Sequence, residues 1–314
     1  MRAVRIYEYG GPEKLTFDED VPDPIMGDDS VLIEAAATSV NPIDWKVRSG
    51  ARQKDFPLKL PAILGKDVSG VVRAVGRNVR TFKPGDRVLA MADATYAELV
   101  VVDGSVLAHL PEGCDLVDSA AIPLVAMTGD QLVRLATRAQ GGQSIIVTGA
   151  LGSVGRAAVH TAKKLGLHVI AAVRAAQLAA AAALGVETLA IDDPSAIGRF
   201  AMVDAVADTV GGETAAALFA KVKDGGSFGY ASVLAEGIAA KYPAVKVTRV
   251  FARPDASKIR EFADDVRDGK FILPVSRRMA LRQASEAHAM AQAGGAGKIV
   301  LVTASRQEGR LPHR

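Results

Sequence analysis

The sequence predicts an α/β fold in which a doubly wound parallel sheet accompanies a β-rich unit. Three observations carry this. From Ser144 to Phe251, short apolar β-branched runs alternate with helical segments at roughly 20–30 residues per unit, the pattern of successive βαβ crossovers. Before Asp118 the chain is different: strand-like runs are short and punctuated by Gly and Pro. The alternating region opens on Ser144-Ile145-Ile146-Val147-Thr148-Gly149-Ala150-Leu151-Gly152-Ser153-Val154-Gly155, where a β-run meets a tight glycine turn and a helical segment follows.

Taken in order, residues 4–7, 15–18 and 30–38 read as strands separated by Gly-Gly-Pro, Pro-Asp-Pro and Gly-Asp-Asp turns. Asn41-Pro42-Ile43-Asp44-Trp45-Lys46 breaks the pattern, with Asn before Pro favouring a turn and a short helix after it. Residues 62–65, 68–76 and 82–90 are further β-rich runs. From 119 to 138 the pattern is helical, interrupted at Pro123. Strand 144–148, helix 153–165, strand 168–173, an Ala-rich helix 176–184 and strand 188–191 follow. Strands at 205–208, 226–230 and 245–251 complete the sheet, with a helix at 213–221. A helix at 256–268, a strand at 272–275, a helix at 281–293 and a strand at 298–302 close the chain, before a polar stretch at 305–314. The expected domains are residues 1–117, 118–255 and a final segment 256–314.

Composition narrows the function. The 314 residues are 49% hydrophobic, but no apolar run reaches the roughly 18–20 residues of a membrane span. No signal-peptide core opens the chain, so a cytoplasmic location is expected. A net charge of +3 with dispersed basic residues gives no nucleic-acid footprint. A single cysteine, Cys114, rules out an internal disulfide and a multi-cysteine zinc site. The five histidines, His109, His160, His168, His288 and His313, are scattered and read as structural or surface groups.

The glycine turn has the chemistry of a dinucleotide site. Its spacing is Gly149-x-x-Gly152-x-x-Gly155, with Ala150 where the usual fingerprint has its first glycine. Glycines let the backbone approach a pyrophosphate, and the helix start offers N–H groups and a positive dipole end. The residues Gly149, Ala150, Leu151, Gly152, Ser153, Val154 and Gly155 are therefore candidate cofactor contacts. The strand that follows ends Val173-Arg174-Ala175-Ala176. No acid stands there to take both ribose hydroxyls, whereas the Arg174 guanidinium suits a 2′-phosphate, which favours NADPH.

These residues, with Asn41-Pro42-Ile43-Asp44-Trp45-Lys46-Val47-Arg48-Ser49-Gly50, Leu64-Gly65-Lys66-Asp67-Val68-Ser69-Gly70, Phe82-Lys83-Pro84-Gly85-Asp86-Arg87-Val88, Asp208-Thr209-Val210-Gly211-Gly212 and Gly297-Lys298-Ile299-Val300, resemble the medium-chain dehydrogenase/reductase superfamily, in its zinc-free, zeta-crystallin-like quinone oxidoreductase branch. The resemblance implies a Rossmann cofactor domain plus a β-rich GroES-like catalytic domain that the final segment completes. Where zinc-dependent relatives carry Cys, His-Glu and Cys ligands, this chain has Asn41, Lys66-Asp67 and a non-Cys position near Thr128. No metal is expected. The resemblance further implies cofactor contacts from Asn41, Thr128, Asp208, Thr209, Val210, Tyr230, Ala231, Ser232 and Lys298. Asn41 also suits a cap before Pro42, Asp208 a helix cap, and Lys298 a solvated strand end.

Hydride addition to a quinone, enone or alkenal builds negative charge on oxygen, which calls for hydrogen-bond donors. Asn41 and Lys66 are the candidate donors, and Asp44 a residue that orients neighbours. The expected activity is an NADPH-dependent quinone or α,β-unsaturated carbonyl reductase. An enoyl-thioester (enoyl-CoA or acyl-carrier) reductase and a cofactor-binding protein with little catalysis are the alternatives. The resemblance also implies a homodimer through the cofactor domain, its edge strand being residues 245–251.

Overall fold

In a computed structural model, which describes residues 1–303, the chain divides into two compact units: Met1–Leu124 together with the segment from Pro254 onward, and Val125–Arg253. The polar stretch at 305–314, with His313, lies outside the described residues. Among the described residues, no helix is long and apolar enough to cross a membrane.

The first unit is built on antiparallel strands. β1 (Ala3–Ile6) pairs with β2 (Leu15–Asp18). β3 (Ser30–Val40) runs into α1 (Pro42–Arg48), whose first position is the proline that its fixed φ suits. β4 (Ala62–Ile63) adds to β1, and β5 (Asp67–Val75), β6 (Arg87–Met91), β7 (Leu99–Asp103) and β8 (Leu107–His109) follow. β3 is the spine, pairing with β5 along one edge and with β7 along part of the other. Its residues Val31, Ile33 and Ala35 point by turns into a core shared with Val68, Val72, Val88, Ala90, Val100 and Val102.

The helical pattern at 119–138 resolves into three pieces. A 3-10 turn at Asp118–Ala121 comes first, then α2 (Pro123–Gln131), then a π-helical stretch at Leu132–Thr137 that ends at Arg138 in left-handed conformation. The first turn packs on β3 and β5, and the Leu124 N–H donates to Asp67 Oδ1 at 2.6 Å. Those contacts carry the first unit past residue 118, the boundary expected from composition.

The second unit follows as β9 (Ser144–Thr148), α3 (Ser153–Lys164), β10 (His168–Val173), α4 (Leu178–Ala182), β11 (Glu187–Ala190), α5 (Pro194–Arg199), β12 (Val203–Asp208), α6 (Gly212–Ala216), β13 (Val222–Tyr230) and β14 (Lys246–Arg249). Its sheet is parallel throughout, in the order β11-β10-β9-β12-β13-β14. Alternate residues feed opposite cores: Ile145, Val147, Ala171 and Ala205 one way, Ile146, Ile170 and Val206 the other. Covering on both faces is why these strands read as continuous apolar runs. The expected helices at 176–184 and 213–221 are shorter, the second giving way to a 3-10 turn at Phe219–Lys221.

The chain then returns to the first unit with α7 (Ala256–Arg267), β15 (Val275–Ala280), α8 (Ala284–Ala293) and β16 (Lys298–Val302). β16 pairs antiparallel with residues 37–40 of β3, and β15 lies parallel to β16 at the sheet's edge. The strand expected at 272–275 is displaced. Pro274 has no N–H to give a ladder, Ile272 is exposed, and pairing starts at Val275. β15 itself is polar, with only Met279 buried, so its apolar pattern gives no signal.

Candidate functional site

In the second unit, β9 and β12 lie side by side at the centre of the sheet, where the strand order reverses; ligands gather at the carboxyl ends of such strands. Gly149 has a φ of +59°, which glycine adopts without strain. A Cβ on Gly155 would sit 2.1 Å from the Gly149 carbonyl oxygen, so the first turn of α3 rides directly on the turn's backbone. Ala150 departs from the fingerprint without cost because it is fully buried among the apolar side chains beneath. Gly152 caps α3, a helix of 12 residues whose leading N–H groups lack partners in the helix itself. Leu151, Ser153 and Val154 are part-exposed around it.

Asp208 ends β12, fully buried, and its carboxylate is spent on the protein. Oδ1 accepts from Thr148 Oγ1 at 2.7 Å and from the Val210 and Gly211 N–H groups; Oδ2 accepts from Ser232 Oγ at 2.8 Å. Thr209 Oγ1 donates to the Thr148 carbonyl at 2.7 Å. Asp208 thus fastens the loop 209–211 to the end of β9. That leaves Val210, 48% exposed, and the part-exposed Thr209, Tyr230 and Ala231 as the surfaces this rim offers. Thr128 is half-buried on α2. Arg174 is exposed just past β10. One acid does approach that turn, from the turn past β11: Asp192 accepts the Ala175 N–H at 2.7 Å.

In the first unit, a buried polar cluster gathers around Asn41. The ladder pairs Ile299 with Val40, which brings Lys298 opposite Asn41. Lys298 Nζ donates to Asn41 Oδ1 at 2.7 Å and stands 3.8 Å from Asp67 Oδ2. Asn41 Nδ2 donates to Asp67 Oδ2 at 2.7 Å and leans on Ser39, whose hydroxyl also donates to Asp67. The Asn41 N–H donates to Asp44 Oδ2 at 2.8 Å, which starts α1 as half of a capping box.

A second row of groups leads away from Asp44. Tyr96 Oη donates to Asp44 Oδ2 at 3.0 Å and meets His288 Nε2 at 2.9 Å; His288 Nδ1 meets Arg48 Nη1 at 3.1 Å. A guanidinium can only donate, so Nδ1 accepts and the imidazole proton sits on Nε2. The row therefore points one way: Arg48 to His288, His288 to Tyr96, Tyr96 to Asp44. Arg48, Tyr96 and His288 are fully buried. Burial lifts the Asp44 carboxyl to about 7, with the Asn41 N–H opposing and nearby Asp67 adding to the rise. Burial depresses His288 to about 3, and the Arg48 charge adds to this. Tyr96 is pushed well above its usual range by burial and by Asp44. Burial also lowers Lys298, against the pull of Asp67 and Asp44.

The structure thus brings together Asn41, Asp44 and Lys298 but leaves Lys66 outside. Lys66 Nζ pairs with Asp93 and lies 5.4 Å from the Phe56 ring centre. Asn41 is not a free donor either, since its amide hydrogens go to Asp67 and Ser39. Sequence reasoning passed over Ser39, Tyr96, Arg48 and His288, and treated Asp67 only as a vacated metal-ligand place. His288 is a core histidine, while His168 pairs at the surface with Glu187.

Comparison with known proteins agrees with this architecture. The alcohol dehydrogenase GroES-like domain matches residues 27–112, and the zinc-binding dehydrogenase domain matches residues 184–301. The structure of a quinone oxidoreductase from Coxiella burnetii superposes with a TM-score of 0.86 at 26% identity, covering 96% of this chain and 99% of that one. The chain belongs to the medium-chain dehydrogenase/reductase family. This dehydrogenase/reductase is also similar to mycobacterial Rv1454c, solved in complex with NADPH, at a TM-score of 0.81 and 26% identity over 96% of this chain and 100% of that one. It is 40% identical to the Homo sapiens quinone oxidoreductase over 172 residues, 54% of this chain and 52% of the relative. The aligned part spans about half the length of the curated relatives it matches.

The donor set of this family member does not suit the catalytic zinc that one matching domain's description implies. The place carries an amide, a carboxylate and an ammonium, and an ammonium cannot ligate. Cys114 is buried with its thiol donating to the Ala263 carbonyl, and both His288 nitrogens are engaged. Among the described residues, no group of three or more His, Cys, Asp or Glu side chains is placed to hold a metal ion.

Proposed function

We propose that this chain is an NADPH-dependent, zinc-free reductase of quinones or α,β-unsaturated carbonyls. The observation that carries this is the close-packed glycine turn of the second unit followed, past β10, by an exposed arginine in place of an acid. A bound nicotinamide supplies a hydride, chemistry that leaves the protein to bind, orient and stabilise charge. The turn and the leading N–H groups of α3 suit a pyrophosphate, and Arg174 suits a 2′-phosphate. The similarity to quinone oxidoreductases supports the acceptor class. Fluorescence titration with NADPH and NADH, followed by a panel of quinones, alkenals and enoyl-CoA, tests the reading. Exclusive turnover of enoyl thioesters would replace the acceptor, and binding without turnover would leave a dinucleotide-binding protein.

Arg174→Ala is expected to weaken NADPH binding roughly 10- to 100-fold, the worth of one charge-assisted contact, while leaving NADH within about twofold. Equal losses for both dinucleotides would remove Arg174 from phosphate recognition. Tighter binding of NADH than NADPH by the unaltered protein would instead point to Asp192 as the ribose ligand.

A homodimer through the second unit is part of the same proposal. Among the described residues, β14 is an edge strand with one side free of ladder partners, and such edges invite a second copy. Val247→Pro removes an N–H on the open side of the strand, since the Val250 N–H, and by alternation that of Thr248, faces β13; it is expected to convert a dimer to a monomer in analytical ultracentrifugation. A monomeric unaltered protein would end the proposal.

A further inference from the structure

The cluster around Asn41 has an uneven distribution of donors. The Asn41 amide spends its hydrogens on Asp67 and Ser39, and its backbone N–H goes to Asp44. Ser39 gives its hydroxyl hydrogen to Asp67, and Tyr96 gives its own to Asp44. Lys298 alone in this group has hydrogens to spare. Its ammonium carries three, and one of them meets Asn41 Oδ1; the Asp67 oxygen at 3.8 Å balances charge without accepting a hydrogen bond. Lys298 is 5% exposed. A buried ammonium with two unspent N–H groups is costly unless something arrives to accept from them.

The neighbours hold that ammonium in a fixed direction. Asn41 cannot flip, because its amide nitrogen must face Asp67 and its oxygen must face Lys298. The one-way row from Arg48 through His288 and Tyr96 fixes Asp44, and Asp44 fixes the backbone of Asn41. These groups position Lys298 without being available to a substrate themselves.

We propose that Lys298 is a catalytic residue, whose ammonium accepts the developing negative charge on the oxygen of the substrate carbonyl and gives it a proton. This rests on the reductase reading. With a nicotinamide cofactor as the two-electron reductant, an enone gains a C–H bond at its β-carbon and the displaced π pair ends on the carbonyl oxygen. The O–H bond then forms as the Lys298 N–H bond breaks, and the neutral amine regains a proton from solvent. For a quinone the same proton neutralises the hydroquinone anion. A lysine whose proton affinity is lowered by burial is a better acid near neutral pH than a free one.

Lys298→Met and Lys298→Arg test this with p-nitrophenol as an oxyanion probe, its ionisation read by absorbance on the protein with and without NADP⁺. The unaltered protein is expected to favour bound p-nitrophenolate roughly tenfold, and Lys298→Met to lose that preference. In the same variant kcat is expected to fall roughly 100-fold or more with NADPH affinity kept within about twofold. Lys298→Arg is expected to keep the phenolate preference but lose kcat, because arginine does not release its proton. Undiminished phenolate preference in Lys298→Met would overturn the proposal. So would a parallel loss of NADPH affinity, which would make Lys298 a cofactor contact. If Lys298→Met does not fold, Lys298→Arg decides: an unchanged kcat and pH profile overturns the proposal. The phenolate titration without cofactor reads Lys298 even if the protein proves to bind no dinucleotide, an outcome that sinks the reductase reading separately.

Discussion

Gly155→Val is expected to abolish dinucleotide binding. At 2.1 Å from the Gly149 oxygen and 2.8 Å from the Ala150 Cα, a side chain on residue 155 meets backbone on two sides. Backbone cannot swing aside as a side-chain tip can, so the turn itself must move. Overpacking of this kind costs about 1–3 kcal/mol where relief is possible, and more where it is not. On the proposed reading the moved atoms are those that would face the pyrophosphate, so NADPH affinity should fall roughly 100-fold or more. A graded series makes the argument sharper. Gly149→Ala forces a left-handed residue and presses on the Thr209 hydroxyl at 2.6 Å, a cost of about 1–2 kcal/mol. Gly152→Ala places its Cβ 3.2 Å from the Gly149 oxygen and should be the mildest of the three. Gly198→Ala on α5 meets nothing within 4 Å; it should leave binding alone and stabilise the fold by about 0.5–1 kcal/mol. Fluorescence titration and thermal melting of the four variants check the order. Normal NADPH affinity in Gly155→Val would show that the turn is not the cofactor's seat.

The buried row from Arg48 to Asp44 is expected to hide two opposing pH dependences. Asp44 has a native pKa of about 7 against an ordinary 3.8. Between those values the native state holds a proton that the unfolded chain releases, so this group lowers stability as pH rises from about 4 to 7. His288 does the reverse. Its native pKa is about 3 against an ordinary 6.5, so the unfolded chain holds the extra proton and stability falls as pH drops below 6.5. The two cancel across most of pH 4 to 6.5. Asp44 is faced by Asn41, Tyr96, Asp67 and Lys298, and His288 by Tyr96 and Arg48, so removing either leaves the other's surroundings largely in place. Asp44→Asn should unmask the histidine, with stability lost on acidification at about 1.4 kcal/mol per pH unit. His288→Asn should unmask the carboxyl, with stability lost at a similar slope as pH rises toward 7. Urea midpoints measured from pH 4 to 7.5 check this. Curves for the three proteins that stay parallel would refute it.

The two units differ in how much the sequence disclosed. The centre of the parallel sheet was legible because its strands are local, apolar on both faces and followed by helices, as Ser144–Thr148 and Ser153–Lys164 show. The glycine turn was legible for the same reason: its parts lie within a dozen residues. The polar cluster was not. Asn41 and Lys298 are 257 positions apart, Arg48 and His288 240, and Tyr96 and His288 192. Nothing local marks Tyr96 or His288 as polar partners: the register of β16 on β3 brings Lys298 to Asn41, while Tyr96 is held by backbone hydrogen bonds to Val4 and Leu64 and His288 is carried on α8, which packs on α1. Lys66 shows the opposite failure. Its neighbours in the chain made it conspicuous, but its side chain turns to Asp93, away from the residue it precedes.

The pairing of β3 with β16 also bears on how the chain is made. Synthesis delivers β3 early, yet the strand that covers residues 37–40 emerges only after the whole of Val125–Arg253. The second unit has all its strands in one continuous stretch and can close its cores while the first still waits. Until residue 302 leaves the ribosome, the Ala37-Thr38-Ser39-Val40 edge stands unpaired on that side, the kind of edge that captures other nascent chains. A nascent chain halted before β16 is therefore the species from which aggregation should begin, with the second unit already folded.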